Sequence, residues 1–118
     1  TFTEIAGRKL MRPPYGRRRP GTLRVLKEKG YLGITWSITG YDWRESITTE
    51  KITRNCLKAG EGDIILLHDG FDREPAYDRH KSIETTRNLL EHYRPQGFDF
   101  VTVPQLVEAA GTGSRYAA

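Results

Sequence analysis

The feature that most constrains this chain is alternation: short apolar runs, each followed by a segment of helical period. Residues 9–11 end the first run, and RPPYG stops it, because proline brings no N–H to a ladder. Pro20 then suits a first helical turn, LRVLKEK continues the helix, and Gly30 closes it. YLGITWSI, residues 31–38, is β-branched and aromatic and predicts a buried strand. Thr48 is placed to cap a helix through Lys58, with Ile47 and Ile52 as a hydrophobic staple and Gly60 as terminator. DIILLHD, residues 63–69, is a continuous apolar run of the parallel-sheet type. A helix follows over 80–93, with Ile83, Leu89 and Leu90 on one side, stopped by Pro95 and Gly97. FDFVTV, residues 98–103, predicts a last strand, and Pro104 opens a final helix through Ala110. The pattern is β-α four times over, which argues for an α/β fold of parallel strands with crossover helices.

A chain of 118 residues is expected to form one domain, 1–118, with a real core. No apolar stretch approaches the roughly 18 to 20 residues that span a bilayer, and the first residues lack the apolar segment of a secretory signal. The absence of an initiator Met leads to the expectation that upstream residues are missing. Cys56 is the single cysteine, so no internal disulfide is expected. The net charge of +4 is modest, and Arg12 with Arg17, Arg18 and Arg19 supplies much of the excess. Such a cluster suits phosphates or an acidic polymer, but a solvated loop ahead of a helix is the expected reading. With no recognition helix or stacking platform beside the arginines, a nucleic-acid partner is not expected.

Ligands of parallel α/β folds gather at strand C-termini. RPPYG, GYDW and LLHDG all fall at or just beyond predicted strand ends. Taken alone each is weak: His68 reads as a structural histidine, Asp69 as a turn cap, Asp42-Trp43 as a loop carboxylate beside a packing indole. Together they supply an imidazole, a carboxylate, an arginine, an exposed backbone turn and an aromatic wall. Those are the parts of a general-acid site for acyl transfer.

In their order and spacing, RPPYG, the Asp42-Trp43 pair and LLHDG resemble the polysaccharide deacetylase family, carbohydrate esterase family 4 with its NodB homology domain. The likeness runs over roughly residues 8 to 110 and includes Arg79 and GFDFVTV before the last helix. It implies a distorted (β/α) barrel and a hydrolase that removes acetyl groups from N-acetylated or O-acetylated polysaccharide with a divalent metal, zinc foremost. It also implies a secreted or cell-envelope location. By the same resemblance, Arg12 orients the catalytic-base aspartate and the backbone N–H of Tyr15 meets the tetrahedral oxyanion. Asp42 holds His68 protonated as general acid, Leu66 lines the pocket for the acetate methyl, and Trp43 walls the groove.

Two family motifs do not occur here. The Asp-Asp pair that supplies base and metal ligand is absent, as is the His-x-x-x-His pair that completes the metal site. The three histidines, 68, 80 and 92, contain no i, i+4 pair, so no metal is expected to bind this chain alone. A closed barrel of this kind needs about 200 residues or more. The expectation is therefore the C-terminal half of a deacetylase domain, inactive in isolation, that works with a missing N-terminal half or a second chain. The alternative is a non-catalytic carbohydrate-binding remnant of the same fold.

Overall fold

A computed structural model of the chain describes residues 4–5, 8–70, 74 and 77–112. In chain order its elements are β1 Glu4–Ile5, β2 Arg8–Met11, α1 Pro20–Glu28, β3 Tyr31–Gly33, β4 Ile38–Thr39, α2 Thr49–Cys56, β5 Ile65–Leu66, α3 His80–Tyr93 and α4 Val103–Thr112. Short 3₁₀ turns occupy Pro14–Gly16 and Arg94–Gln96. The chain divides into two compact units, one of Thr1–Trp36 with Val101–Ala118 and one of Ser37–Phe100.

In the first unit β2 pairs in parallel with β3, as a β-α-β unit requires, and α1 is the crossover. An antiparallel strand outside the expected pattern, β1, borders β2. Pro20 sits in the first turn of α1, Leu26 is its buried residue, and Gly30 leaves the helix at φ 72°. RPPYG follows the end of β2. Its turn is tied by Gly16 N–H to Pro13 O at 3.0 Å and Arg17 N–H to Pro14 O at 3.2 Å. Tyr15 is held at φ 56°, a region unfavourable to side chains, and Gly16 at φ 64°. Gly16 also lies against Trp36, where a Cβ would stand 2.8 Å from the indole.

The second unit holds a parallel pair, β4 and β5, in the register Ile38↔Ile65 and Thr39↔Leu66. Thr48 caps α2 by accepting from Lys51 N–H at 3.3 Å, and both staple residues, Ile47 and Ile52, are buried. Ile47, Ile52 and Cys56 meet Leu89 and Tyr93 of α3 in one core, with Ile65, Leu67 and Phe98 packed against it. Each fully buried aliphatic side chain there contributes about 1.5–3 kcal/mol. Tyr93 carries its hydroxyl to Ala59 O at 2.7 Å, so the buried ring leaves no donor unmet.

Four expectations are corrected. Residues 31–38 are not one strand: β3 and β4 belong to different sheets and different units, separated by residues 34–37. The run 63–69 contributes only Ile65–Leu66 to a ladder. The predicted strand 98–103 is irregular up to Thr102. There Thr102 N–H donates to Gln105 Oε1 at 2.8 Å while Gln105 N–H reaches Thr102 Oγ1 at 3.4 Å. That reciprocal box commits the chain to α4. In α3 the buried face is Ser82, Thr85, Leu89 and Tyr93, and Ile83 is 64% exposed.

Candidate active site

The loop after β4 and the loop after β5 meet at Asp42 and His68. A parallel pair sends both strands the same way, so their following loops emerge together. Ile65 and Leu67 pack toward the core, which leaves Leu66 and His68 on the other side of the chain. The turn that delivers Asp42 is tight. Tyr41 adopts φ 59°, Arg44 N–H returns to Tyr41 O at 3.1 Å, and Asn55 Nδ2 holds Gly40 O at 3.3 Å. Gly40 is required there, since a Cβ would lie 2.8 Å from both Ile52 and Leu67 and 3.1 Å from the Cys56 sulfur.

The side chain of Asp42 is fully buried, whereas that of His68 is 38% exposed. Asp42 Oδ2 accepts the backbone N–H of His68 at 2.6 Å and the hydroxyl of Ser82 at 2.8 Å. Asp42 Oδ1 lies 2.8 Å from His68 Nδ1. A carboxylate only accepts, so Nδ1 carries the hydrogen in this contact and Nε2 is the ring nitrogen left for a ligand. Arg79, itself buried, donates to Gly70 O at 2.5 Å and to Asp42 O at 3.4 Å. It thereby links the two loop backbones.

Trp43 is 40% exposed and stands edge-on to the His68 ring, 5.4 Å between centroids. Tyr41 continues the aromatic surface at 5.4 Å from Trp43, with the Arg44 guanidinium 4.7 Å over its ring. A cleft of about 270 Å³ opens between Asp42, Arg44 and residues 77–82. Behind Asp42, burial pushes the Cys56 thiol up to about 11, and the Asp42 charge adds to the effect.

Of the six residues singled out by sequence, Asp42, Trp43, Leu66 and His68 lie in the second unit. Arg12 and Tyr15 lie in the first, where Arg12 is exposed and Tyr15 is 82% exposed on its turn. Ser82 and Tyr41 were missed. Tyr41 lies within the marked GYDW stretch but was given no role. Ser82 carries no sequence signal, its partner being forty residues away in the chain.

The divalent metal implied by the family resemblance finds no fitting donor set among the described residues. No group of three or more His, Cys, Asp or Glu residues converges among the described residues. Both Asp42 oxygens are committed, and His80 is exposed with Nδ1 on Asp78 at 2.7 Å. His92 is exposed near the far end of α3. No helix among the described residues is long and apolar enough to cross a membrane.

No protein-family model matches the chain. It is 35% identical over 101 residues to a peptidoglycan-N-acetylglucosamine deacetylase of Bacillus cereus, covering 83% of this chain and 45% of that protein. It also superposes on the crystal structure of a peptidoglycan N-acetylglucosamine deacetylase with TM-score 0.70 and 27% identity, over 84% of this chain and 44% of that one. A family 4 carbohydrate esterase from Streptomyces lividans, solved with acetate, matches with TM-score 0.61 and 25% identity, over 81% of this chain and 46% of that one. The chain thus spans less than half the length of each of these proteins, and shares with them the α/β fold of their NodB-type barrel.

Proposed function

From the chain's membership of the polysaccharide deacetylases, over the part of their length that it spans, we propose that it carries the leaving-group side of a deacetylation site. The observation that supports this most directly is the buried Asp42 carboxylate on His68 Nδ1, with Nε2 left for substrate. In this reading His68 is the general acid. Hydrolysis of an N-acetyl group expels an amine, which departs readily only when a proton reaches its nitrogen as the C–N bond breaks. Asp42 holds the imidazole in one tautomer and stabilises its protonated form. Trp43 and Tyr41 offer apolar faces to a sugar ring, and Leu66 lies against the acetate methyl.

Arg12 and Tyr15 take the roles implied by the family. The Tyr15 N–H, on its left-handed turn, donates to the oxyanion, and Arg12 orients the base aspartate. That base and the metal come from the family's Asp-Asp and His-x-x-x-His motifs, borne by an N-terminal half or second chain, the present segment being the C-terminal half. A metal held by those motifs would supply an acidified attacking water. The substrate is an N-acetylated polysaccharide of the peptidoglycan or chitin-oligomer class.

Mixing the chain with a separately produced segment that bears the two motifs tests this reading, with acetate release from N-acetylglucosamine oligomers as readout. Release is expected only in the mixture, is abolished by chelator, and falls roughly 10²- to 10⁴-fold with His68→Ala. Chelator-insensitive release by the chain alone would overturn the proposal. Glycan binding without release in the mixture would make it a carbohydrate-binding remnant instead.

A further inference from the structure

A carboxylate taken fully out of water needs hydrogen-bond donors in place of its hydration shell. Asp42 has three, and two of them belong to His68 itself, its backbone N–H and its Nδ1. Those two bonds fix Asp42 to His68. They do not fix the pair to anything else. The third donor is the hydroxyl of Ser82, 2.8 Å from Oδ2 and buried.

Ser82 stands in the first turn of α3, and its backbone is secured on both sides. Its N–H donates to Arg79 O at 3.0 Å, and its carbonyl accepts from Thr86 Oγ1 at 2.8 Å. One turn further on, the same helix face buries Thr85, then Leu89 and Tyr93 in the core. Ser82 is therefore the side chain through which the carboxylate is referred to a rigid element. Arg79 complements it by holding the two loop backbones at Gly70 O and Asp42 O, but it does not touch the carboxylate in these contacts. A hydroxyl suits the position because it is a small neutral donor. A cation there would compete with His68 for the charge of Asp42.

We propose that Ser82 is a positioning residue: its hydroxyl sets the rotation of the Asp42 carboxylate, and through it the tautomer and aim of the His68 ring. The proposal rests on the general-acid reading of His68. Without the Ser82 donor, the carboxylate is held among the described residues by His68 alone, and carboxylate and ring can shift together. Nε2 then spends less time aligned with the departing nitrogen. The effect belongs to the chemical step and not to substrate capture.

The test pairs two readouts. Long-range ¹H–¹⁵N spectra of the ¹⁵N-labelled chain report the His68 tautomer. Acetate release by the chain mixed with the motif-bearing segment reports kcat and KM. Measured where the ring is neutral, Ser82→Ala is expected to shift the His68 nitrogens away from a pure Nδ1–H pattern. It should also lower kcat about tenfold or more, the size of a lost hydrogen bond to a charged group, with KM little changed. Ser82→Thr, which keeps the hydroxyl, should restore both. Wild-type kcat and ring pattern in Ser82→Ala, alongside an inactive His68→Ala, would overturn the Ser82 proposal and leave the general-acid reading standing. Full activity in His68→Ala would instead sink the general-acid reading and, with it, this role. Should Ser82→Ala fail to fold, Ser82→Cys keeps the volume, weakens the donor and is read the same way.

Discussion

His68 is bound to Asp42 twice, through its backbone N–H to Oδ2 at 2.6 Å and through ring Nδ1 to Oδ1 at 2.8 Å. The carboxylate thus governs both where the residue sits and how its ring is turned. Asp42→Asn separates the two effects. An amide can still accept the backbone N–H, but its NH₂ then faces Nδ1 and favours the opposite tautomer. Acetate release in the reconstituted mixture should fall on the order of 10²- to 10⁴-fold. A rate within twofold of wild type would remove Asp42 from its tuning role.

Gly40 tests the packing that delivers the loop. Adding a methyl drives it into Ile52 and Leu67, each 2.8 Å from the new carbon. Neither neighbour is the free end of a flexible chain: Ile52 is fully buried and Leu67 packs on the same core. Gly40→Ala should cost about 1–3 kcal/mol, measured as a lowered urea midpoint at unchanged slope.

Cys56 gives the pH dependence a sign. The folded-state thiol titrates at about 11, raised first by burial and then by the charge of Asp42, whereas an unfolded thiol titrates near ~8.5. The unfolded chain therefore loses its proton first. This contribution to stability is complete below the unfolded value and declines as pH rises through the folded one. The urea midpoint should fall between about pH 8.5 and 11, and Cys56→Ala should flatten that part of the curve. At pH 8 the thiol should resist alkylation until the chain is unfolded, which thiol labelling against urea concentration would show.

Thr48 is the cap on which α2 begins, through its contact to Lys51 N–H. Thr48→Ala should lower stability by about 0.5–2 kcal/mol. Thr48→Ser should recover most of the loss. Equal midpoints for the alanine and serine variants would mean that the hydroxyl contributes nothing.

The sequence made the loops more legible than the strands that carry them. RPPYG, GYDW and LLHDG each fall at or just beyond a strand end, because glycine, proline and aspartate punctuate the chain locally. The strands are shorter than their apolar runs. IILL reads as a strand through all four residues, yet only Ile65 and Leu66 have a partner across the ladder, a matter of pairing and not of propensity. FDFVTV misled for a different reason: Thr102 and Gln105 form a capping box, and that local signal prevails over β-branched composition. The inner face of α3 was hidden because Ser82 and Thr85 occupy it, while the apolar Ile83 points outward. Ser82 faces inward to meet a carboxylate, and no helical period encodes that need.

The double attachment of His68 also divides the two residues as targets of change. Replacing the imidazole with any side chain but that of proline leaves a peptide N–H at position 68, so the bond to Oδ2 survives and the loop keeps its place. Replacing Asp42 with a side chain that has no oxygen takes from the peptide N–H, the ring and the Ser82 hydroxyl the acceptor they share. Chemistry can thus be deleted at position 68 without touching architecture, whereas at position 42 only an oxygen-bearing replacement keeps the two apart. On the proposed general-acid reading, a change at position 68 removes the general acid and retains the aromatic surface of Tyr41 and Trp43. In that reading a single substitution there leaves a surface shaped for a sugar ring and removes only the proton donor.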